Sequence, residues 1–271
     1  FSGPIEPASF TASDVVLGGT ATGKTISSIT QVAPNDGTKY EVAVSATSYG
    51  TITASIPSQA VSYSSAMLAS TGGQPFGIIV DSSGNIYTAN TSTDNVTKIT
   101  PAGVSSILGT TGDNPQSIAM DSLGNVYTPN SLSNNVTKIT PAGVSSILGT
   151  TGFGPDDIAV DSADNVYVAN RTDNNVTKIT PAGVSSILGT TGSSPSGITV
   201  DSSGNVYTSN SSSGNVTKIT PAGVSSILGT TGSYPTDIVL DSSGNVYTSN
   251  FSSGNVTKIT PAGVSSLHGP G

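Results

Sequence analysis

Residues 95–112 read NVTKITPAGVSSILGTTG, and the same eighteen residues return verbatim at 135–152, 175–192 and 215–232. A fifth copy begins at Asn255 with NVTKITPAGVSS and then departs to LHGPG. The spacing is 40 residues without insertion, so from Thr71 the chain divides into units 71–110, 111–150, 151–190, 191–230 and 231–270. A fixed period of this size marks a repeat architecture, in which each unit hides its apolar surface only against its neighbours.

The second unit shows what one repeat builds. Ser117–Asp121 (SIAMD) is a short apolar run suited to a strand covered on both faces. Asp121–Asn125 (DSLGN) has the Asp-first, Gly-late chemistry of a tight turn. Val126–Thr128 is β-branched and aromatic, a second strand. Val136–Thr140 and Val144–Leu148 are the third and fourth, separated by T-P-A-G, which fits a type I turn. Four antiparallel strands in 40 residues, repeated, describe a β-propeller blade. An open solenoid is the alternative and lacks its short-period glycine pattern.

The stretch Pro155–Asn170, P-D-D-I-A-V-D-S-A-D-N-V-Y-V-A-N, resembles the NHL-type repeat and its streptogramin-lyase-like relatives, and the likeness covers all five units. The resemblance implies a propeller that hosts binding, scaffolding or catalysis. Either the five blades close as a tight ring, which their small Ile, Val and Ala cores permit, or another segment or subunit completes it.

Residues 1–70 do not share the period, so the domains are read as 1–70 and 71–270. Candidate strands are Asp14–Leu17, Thr25–Val32, Tyr40–Ala46, Thr51–Ile56 and Ala66–Ala69. Ala12–Gly18 (ASDVVLG), Tyr40–Ser45 (YEVAVS) and Gly50–Ala60 (GTITASIPSQA) resemble bacterial immunoglobulin-like surface modules. That resemblance implies a β-sandwich. Its opening strands are missing, and an open edge invites a strand from a neighbour. The fold class expected is all-β: an incomplete immunoglobulin-like sandwich followed by a five-bladed propeller.

Composition narrows the partners. Sixteen acidic against eight basic residues give a net charge of −8, which argues against nucleic acid and anionic membrane as partners. No apolar run approaches the ~20 residues of a membrane helix. There is no cysteine, so thiolate chemistry and disulfides are excluded. Charged residues make up 9% of the chain, far below the ~25% of ordinary soluble domains, so the surface is one of hydroxyls and amides. This composition, with the resemblance, points to an extracellular or cell-surface protein. No leader is read in these residues.

Differences among the five copies concentrate beside the blade-entry proline and in the loop between the second and third strands. Both loops emerge on one face, so the other face is nearly five-fold identical. The diversified face carries Phe76, Asn114, Phe153, Asp156, Asp157, Arg171, Tyr234 and Phe251, with Gln74, Asp113, Gln116 and Asp237 beside them. Aromatic residues in a polar surround suit a polysaccharide, a surface protein or a further subunit. Drift of recent copies would produce the same pattern in loops. Asp81, Asp121, Asp161, Asp201 and Asp241 read as turn-capping residues. Only the third copy, with Asp161 and Asp164, offers two carboxylates for a cation. Asn90, Asn170, Asn210 and Asn250 lie in N-x-S/T sequons and are glycosylation candidates.

No cofactor is implied. No histidine falls in a blade interior and no glutamate follows Glu41. A catalytic site needs convergent groups, which near-identical blades do not supply. The expectation is therefore a non-enzymatic structural or adhesive protein that self-associates into a polymer or filament through its open sandwich. A monomeric carbohydrate- or protein-binding propeller and a lyase- or lactonase-like enzyme are the alternatives.

Overall fold

The computed structural model describes residues 15–31, 40–55 and 69–269. The chain divides into two compact units, Phe1–Met67 and Leu68–Gly271. In the first unit, β1 (Val16–Gly18) pairs antiparallel with β4 (Thr53–Ser55), and β2 (Thr25–Gln31) with β3 (Tyr40–Ser45). A small apolar cluster of Val15, Leu17, Ile26, Ile29 and Val42 lies between them. Among the described residues these are two two-stranded sheets, and an immunoglobulin-like sandwich is not shown. The strand expected over residues 66–69 falls almost wholly outside the described residues.

In the second unit the first blade consists of β5 (Pro75–Val80), β6 (Ile86–Asn90), β7 (Asn95–Ile99) and β8 (Ser105–Thr110), hydrogen-bonded in that order. Each later repeat makes the same four-stranded antiparallel sheet. The second blade departs at its first strand, which shrinks to Ala119–Met120. In the other blades the second-strand residues Ala89, Ala169, Ser209 and Ser249 pair with the first strand. Here Pro129 occupies that place and has no N–H to give the ladder.

Two polar networks hold each blade together. At the DSxGN turn, Asp201 Oδ1 accepts the backbone N–H of Ser203 and Asn205 at 2.9 and 2.8 Å, and its Oδ2 accepts the Asn205 amide and the Tyr207 hydroxyl at 2.8 and 3.0 Å. Lys218 lies 5.4 Å from the centre of the same tyrosine ring. At the opposite end, Asn210 donates to Asn215 Oδ1 and Thr217 Oγ1 at 2.8 and 2.9 Å and accepts from Thr208 at 3.0 Å. The threonine of V-T-K-I-T therefore points inward, where an amphipathic reading of that strand places it in water. Asn90, Asn170 and Asn210 are fully buried and Asn250 is nearly so. All four sequon asparagines commit their amide nitrogens to such bonds, so the folded blade offers no glycan acceptor there.

Between blades the contact is apolar and repeats four times. Tyr127 and Val136 of the second blade, for example, pack on Ile158, Val166 and Ile179 of the third. Full burial of each such aliphatic side chain contributes roughly 1.5–3 kcal/mol. The series then stops. Ile118, Ile158, Ile198 and Ile238 are 5%, 5%, 5% and 3% exposed, but their first-blade counterpart Ile78 is 65% exposed. Val96, Val136, Val176 and Val216 are fully buried, but Val256 of the fifth blade is 41% exposed. The ring of five blades does not close on itself, which corrects the expectation of a tight five-bladed ring.

The third blade contains a natural test of the asparagine hub. Val168 stands where Thr88, Thr128, Thr208 and Thr248 donate to the hub, and Asn170 Oδ1 is left buried without a partner. Thr208→Val is expected to cost about 1–3 kcal/mol by stranding Asn210 Oδ1. Val168→Thr, nearly isosteric, is expected to be neutral or stabilising. Urea melts of both variants check the pair, and an equal loss in each would refute the hub.

Candidate functional site

The first strands of the blades run along the axis of the ring, and two successive repeat positions face it. One carries Phe76, Gln116, Asp156, Ser196 and Thr236, and the next carries Gly77, Ser117, Asp157, Gly197 and Asp237. All but Gly197, together with Ile78 and Arg171, line one cavity of about 400 Å³. The repeats differ most in chemistry where their strands converge. Gly77 shows why size matters there: a Cβ on it would stand 2.8 Å from the Ser117 backbone.

Asp157 is the structural centre of this cavity. Its Oδ1 accepts the Ser117 hydroxyl at 2.6 Å and its own blade's Ile158 N–H at 2.8 Å. Its Oδ2 accepts the Ile198 N–H of the following blade at 2.8 Å. One carboxylate thus ties three blades. Burial pushes its pKa up to about 6, against the pull of those three donors, with the Asp237 charge adding to the rise. Asp237 is exposed and holds only the Ile238 N–H, at 2.7 Å, among the described residues.

Above the axis stands the chain's single arginine. Arg171 Nη1 meets Asp156 Oδ2 at 3.2 Å, and its Nη2 donates to the Tyr234 hydroxyl oxygen at 2.8 Å, reaching from the third blade to the fifth. Phe251 packs edge-on against Tyr234 at 6.2 Å between ring centres. Burial raises the Asp156 pKa, and the Arg171 charge opposes that rise. Arg171 is 42% exposed, so the pair contributes orientation more than stability, about 0–1 kcal/mol.

Of the residues expected on the diversified face, Phe76, Asp156, Asp157 and Arg171 line the cavity, and Tyr234 and Phe251 join them through contacts. Phe153 and Asn114 do not line it: Phe153 is exposed on a blade-entry loop, and Asn114 takes a left-handed backbone there with φ 61°. Ser117, Ser196 and Thr236 escaped the sequence reading. Their signal was positional, since each sits one or two residues after the blade-entry proline, as Asp156 and Asp157 do. The single histidine, His268, lines a separate cavity of about 440 Å³ with Phe251, Asn255 and Val256.

The cation candidate is corrected. Asp161 spends its oxygens on Ala163 N–H, Asn165 N–H and amide, and the Tyr167 hydroxyl. Asp164 stands in the left-handed turn position that glycine holds in the other copies, with φ 60°. Among the described residues no group of three or more His, Asp or Glu is placed to hold a metal.

Comparison with known proteins places this architecture. The model of the Virginiamycin B lyase family matches residues 35–269. No curated protein matches the chain. Among solved structures, a catalytically inactive histidine-to-alanine variant of virginiamycin B lyase from Staphylococcus aureus with quinupristin is 14% identical, with a TM-score of 0.64 over 94% of this chain and 88% of that one. A gluconolactonase from Xanthomonas campestris is 14% identical, with a TM-score of 0.58 over 75% and 79%. A chain of a nidogen/laminin complex is 17% identical, with a TM-score of 0.62 over 94% of each. At such identities these likenesses establish the fold alone, and their reach points to about six blades. The family match overturns the expectation of a non-enzyme, because it points to an enzymatic propeller family. Near-identity of the blades misled that reading, since it holds for the blade bodies and fails at the axis.

Asp157 generates a pH signature. Its folded pKa lies above the ~3.9 of an unfolded aspartate, so the folded state binds the proton more tightly. Stability is therefore lost as pH rises from about 4 through about 6, on the order of 2–3 kcal/mol across the window. Denaturant melts at intervals through that window should show the decline in the parent chain and its absence in Asp157→Asn. Parallel curves would show that the half-buried carboxylate is not desolvated enough to raise its pKa.

Proposed function

We infer the function from one premise that the match over residues 35–269 establishes: this chain belongs to the virginiamycin B lyase family. On that premise it is a propeller enzyme of lyase type whose substrate enters the axial cavity. The observation that carries this reading is the convergence of the sole arginine, Tyr234 and three aspartates on that cavity, at the positions where otherwise copied blades diverge.

A lyase breaks a bond by elimination, so a base withdraws a proton, a donor protonates the leaving group, and no water is consumed. Asp237 suits the base, being an exposed carboxylate with one oxygen uncommitted among the described residues. Tyr234 suits the donor. Its oxygen accepts from Arg171, which leaves its own proton to give and sets a cation beside the developing negative charge. Asp156 holds the guanidinium in place. Asp157 is committed to three protein donors and positions the strands. The Staphylococcus relative is inactivated by loss of a histidine, but His268 of this chain lies outside the axial cavity. Acid–base work here falls to tyrosine and aspartate. The substrate class is a small cyclic ester, after the lactone in the name of the Xanthomonas neighbour.

A binding role is the second reading. Phe76, Phe153 and Phe251 are 70%, 64% and 78% exposed, which favours a polysaccharide or protein partner for an extracellular or cell-surface propeller. Self-association through the first unit has its support in the two-stranded pairs β1–β4 and β2–β3, which have free edges among the described residues.

The chain is to be incubated with quinupristin and with gluconolactone, and the products followed by mass spectrometry. Ring opening by elimination leaves the mass unchanged, whereas hydrolysis adds one water. Mass-neutral turnover of quinupristin is expected, falling roughly 100-fold or more in Asp237→Asn and Tyr234→Phe with unaltered melting, while gluconolactone serves as the probe for hydrolysis. Turnover that survives both substitutions, or no turnover of either compound alongside saturable glycan or protein binding, would transfer the assignment to the second reading.

A further inference from the structure

We propose that Ser117 is a nucleophile with Asp157 as its base, which gives the axial cavity an esterase activity through an acyl-enzyme, separate from the elimination assigned to Tyr234 and Asp237. Three hydroxyl side chains line the cavity: Ser117, Ser196 and Thr236. Ser196 donates to the Pro235 carbonyl at 2.9 Å, and Thr236 lies 3.1 Å from the Ser249 hydroxyl. Neither a carbonyl oxygen nor a second hydroxyl takes up a proton near neutral pH. Of the three, Ser117 alone faces a carboxylate, donating to Asp157 Oδ1 at 2.6 Å. At its repeat position the other blades carry Gly77, Asp157, Gly197 and Asp237, so the hydroxyl occurs there once in the ring.

A hydroxyl is activated when a base within hydrogen-bond reach is itself held by a third group. The Ile158 and Ile198 N–H groups hold the two Asp157 oxygens at 2.8 Å each, from its own blade and the next. Of its three donors only the Ser117 hydroxyl can hand over a proton. Burial pushes Asp157 up to about 6, so it is more basic than an ordinary aspartate and still largely ionised at neutral pH. Asp237, Asp156 and Arg171 are the other charged groups lining the cavity, and Asp237 adds to that rise. Ser117 is half-buried, hence both held and reachable.

In the first step Ser117 Oγ bonds to the ester carbonyl carbon and its proton passes to Asp157 Oδ1. The carbon–oxygen bond to the alcohol then breaks, and the alcohol leaves with that proton. In the second step water attacks the acyl carbon, gives a proton to Asp157, and Ser117 Oγ departs and recovers it. The sum is ester plus water to acid plus alcohol. Gln116 and Arg171 are the side-chain N–H donors lining the cavity for the oxygen that becomes negative. Three carboxylates against one guanidinium leave no surplus cation for an acidic substrate, so the substrate class is a small uncharged ester or lactone.

The test treats the full chain with an alkyl fluorophosphonate, which bonds to an activated serine oxygen with loss of fluoride, and separately with p-nitrophenyl acetate. Peptide mass spectrometry locates the adducts. About one adduct per chain is expected, on Ser117, with p-nitrophenol released and acetyl-Ser117 trapped on rapid acid quenching. Labelling is expected to be lost in Ser117→Ala and to slow roughly 100-fold or more in Asp157→Asn. In the parent chain its rate is expected to rise between about pH 5 and pH 7, as Asp157 loses its proton. That profile tests the base even if Asp157→Asn fails to fold. No adduct, or adducts scattered over surface hydroxyls, would leave Ser117 as a stitch between blades and overturn the proposal. Labelling of Ser117 that is flat through that window would overturn Asp157 as its base. Labelling uses neither Tyr234 nor Asp237, so its absence beside intact elimination strikes this assignment alone, and its presence without elimination strikes only the lyase reading.

Discussion

A four-stranded sheet with apolar residues on both faces is insoluble as a single layer, and everything else in the second unit follows from how that problem is met. The repeat puts Tyr and Val on one face and Ile, Val and Ile on the other, so each copy finishes the core of the one before it. One copied sequence thus supplies both partners of every interface. The arrangement is self-propagating, and nothing inside a repeat specifies where it ends. Closure is a property of the number of copies and the angle between them.

Apolar packing between blades leaves the blade ends to be held by polar groups, and among the described residues Arg171–Asp156 is the one ion pair. Asp81, Asp121, Asp161, Asp201 and Asp241 each accept from an asparagine, a tyrosine and backbone donors. Burial pulls Asp121, Asp161 and Asp201 upward, yet these donors outweigh it and hold them below the usual carboxylate range. For Asp81 and Asp241 the asparagine amide is the leading influence, in the same direction. Their contribution is present above the unfolded value near 4 and is lost as pH falls below it. The lysine over each tyrosine ring is spent on that ring, in the third strand. The outer SSILGT strand carries no charge to guard its edge, and its Ile107 is 67% exposed.

The blade was legible because its signals are local: a capping Asp, a T-P-A-G turn and β-branched runs of four or five residues. What escaped depends on residues far apart in the chain. N-x-S/T is a local pattern, but whether Asn210 faces water is settled by Asn215 and Thr217 across a strand pair. Pro129 shortens a strand it does not belong to. The axial site was half-visible, since Asp156, Asp157, Arg171 and Tyr234 were singled out as deviations from the repeat. Their convergence was not visible, because Arg171 and Tyr234 are 63 residues apart and meet only when the ring curves. Deviation from a copied template was the useful signal, and similarity between copies, taken as evidence against catalysis, was the misleading one.

Axial chemistry and the open junction bear on each other. Asp157 ties the second, third and fourth blades, and Ser196 donates to the Pro235 carbonyl of the fifth at 2.9 Å, so stitching at the axis runs from the second blade to the fifth. The first blade meets this run through the bare backbone of Gly77 against Ser117. It also contributes Phe76, the one large apolar side chain among the two axial rings. Four stitched blades fix Asp237, Tyr234 and Arg171 relative to one another, while the wall opposite them is held by apolar packing on one side only. The polar half of the site is therefore set by hydrogen bonds within the ring, and the apolar half by whatever stands at the open junction.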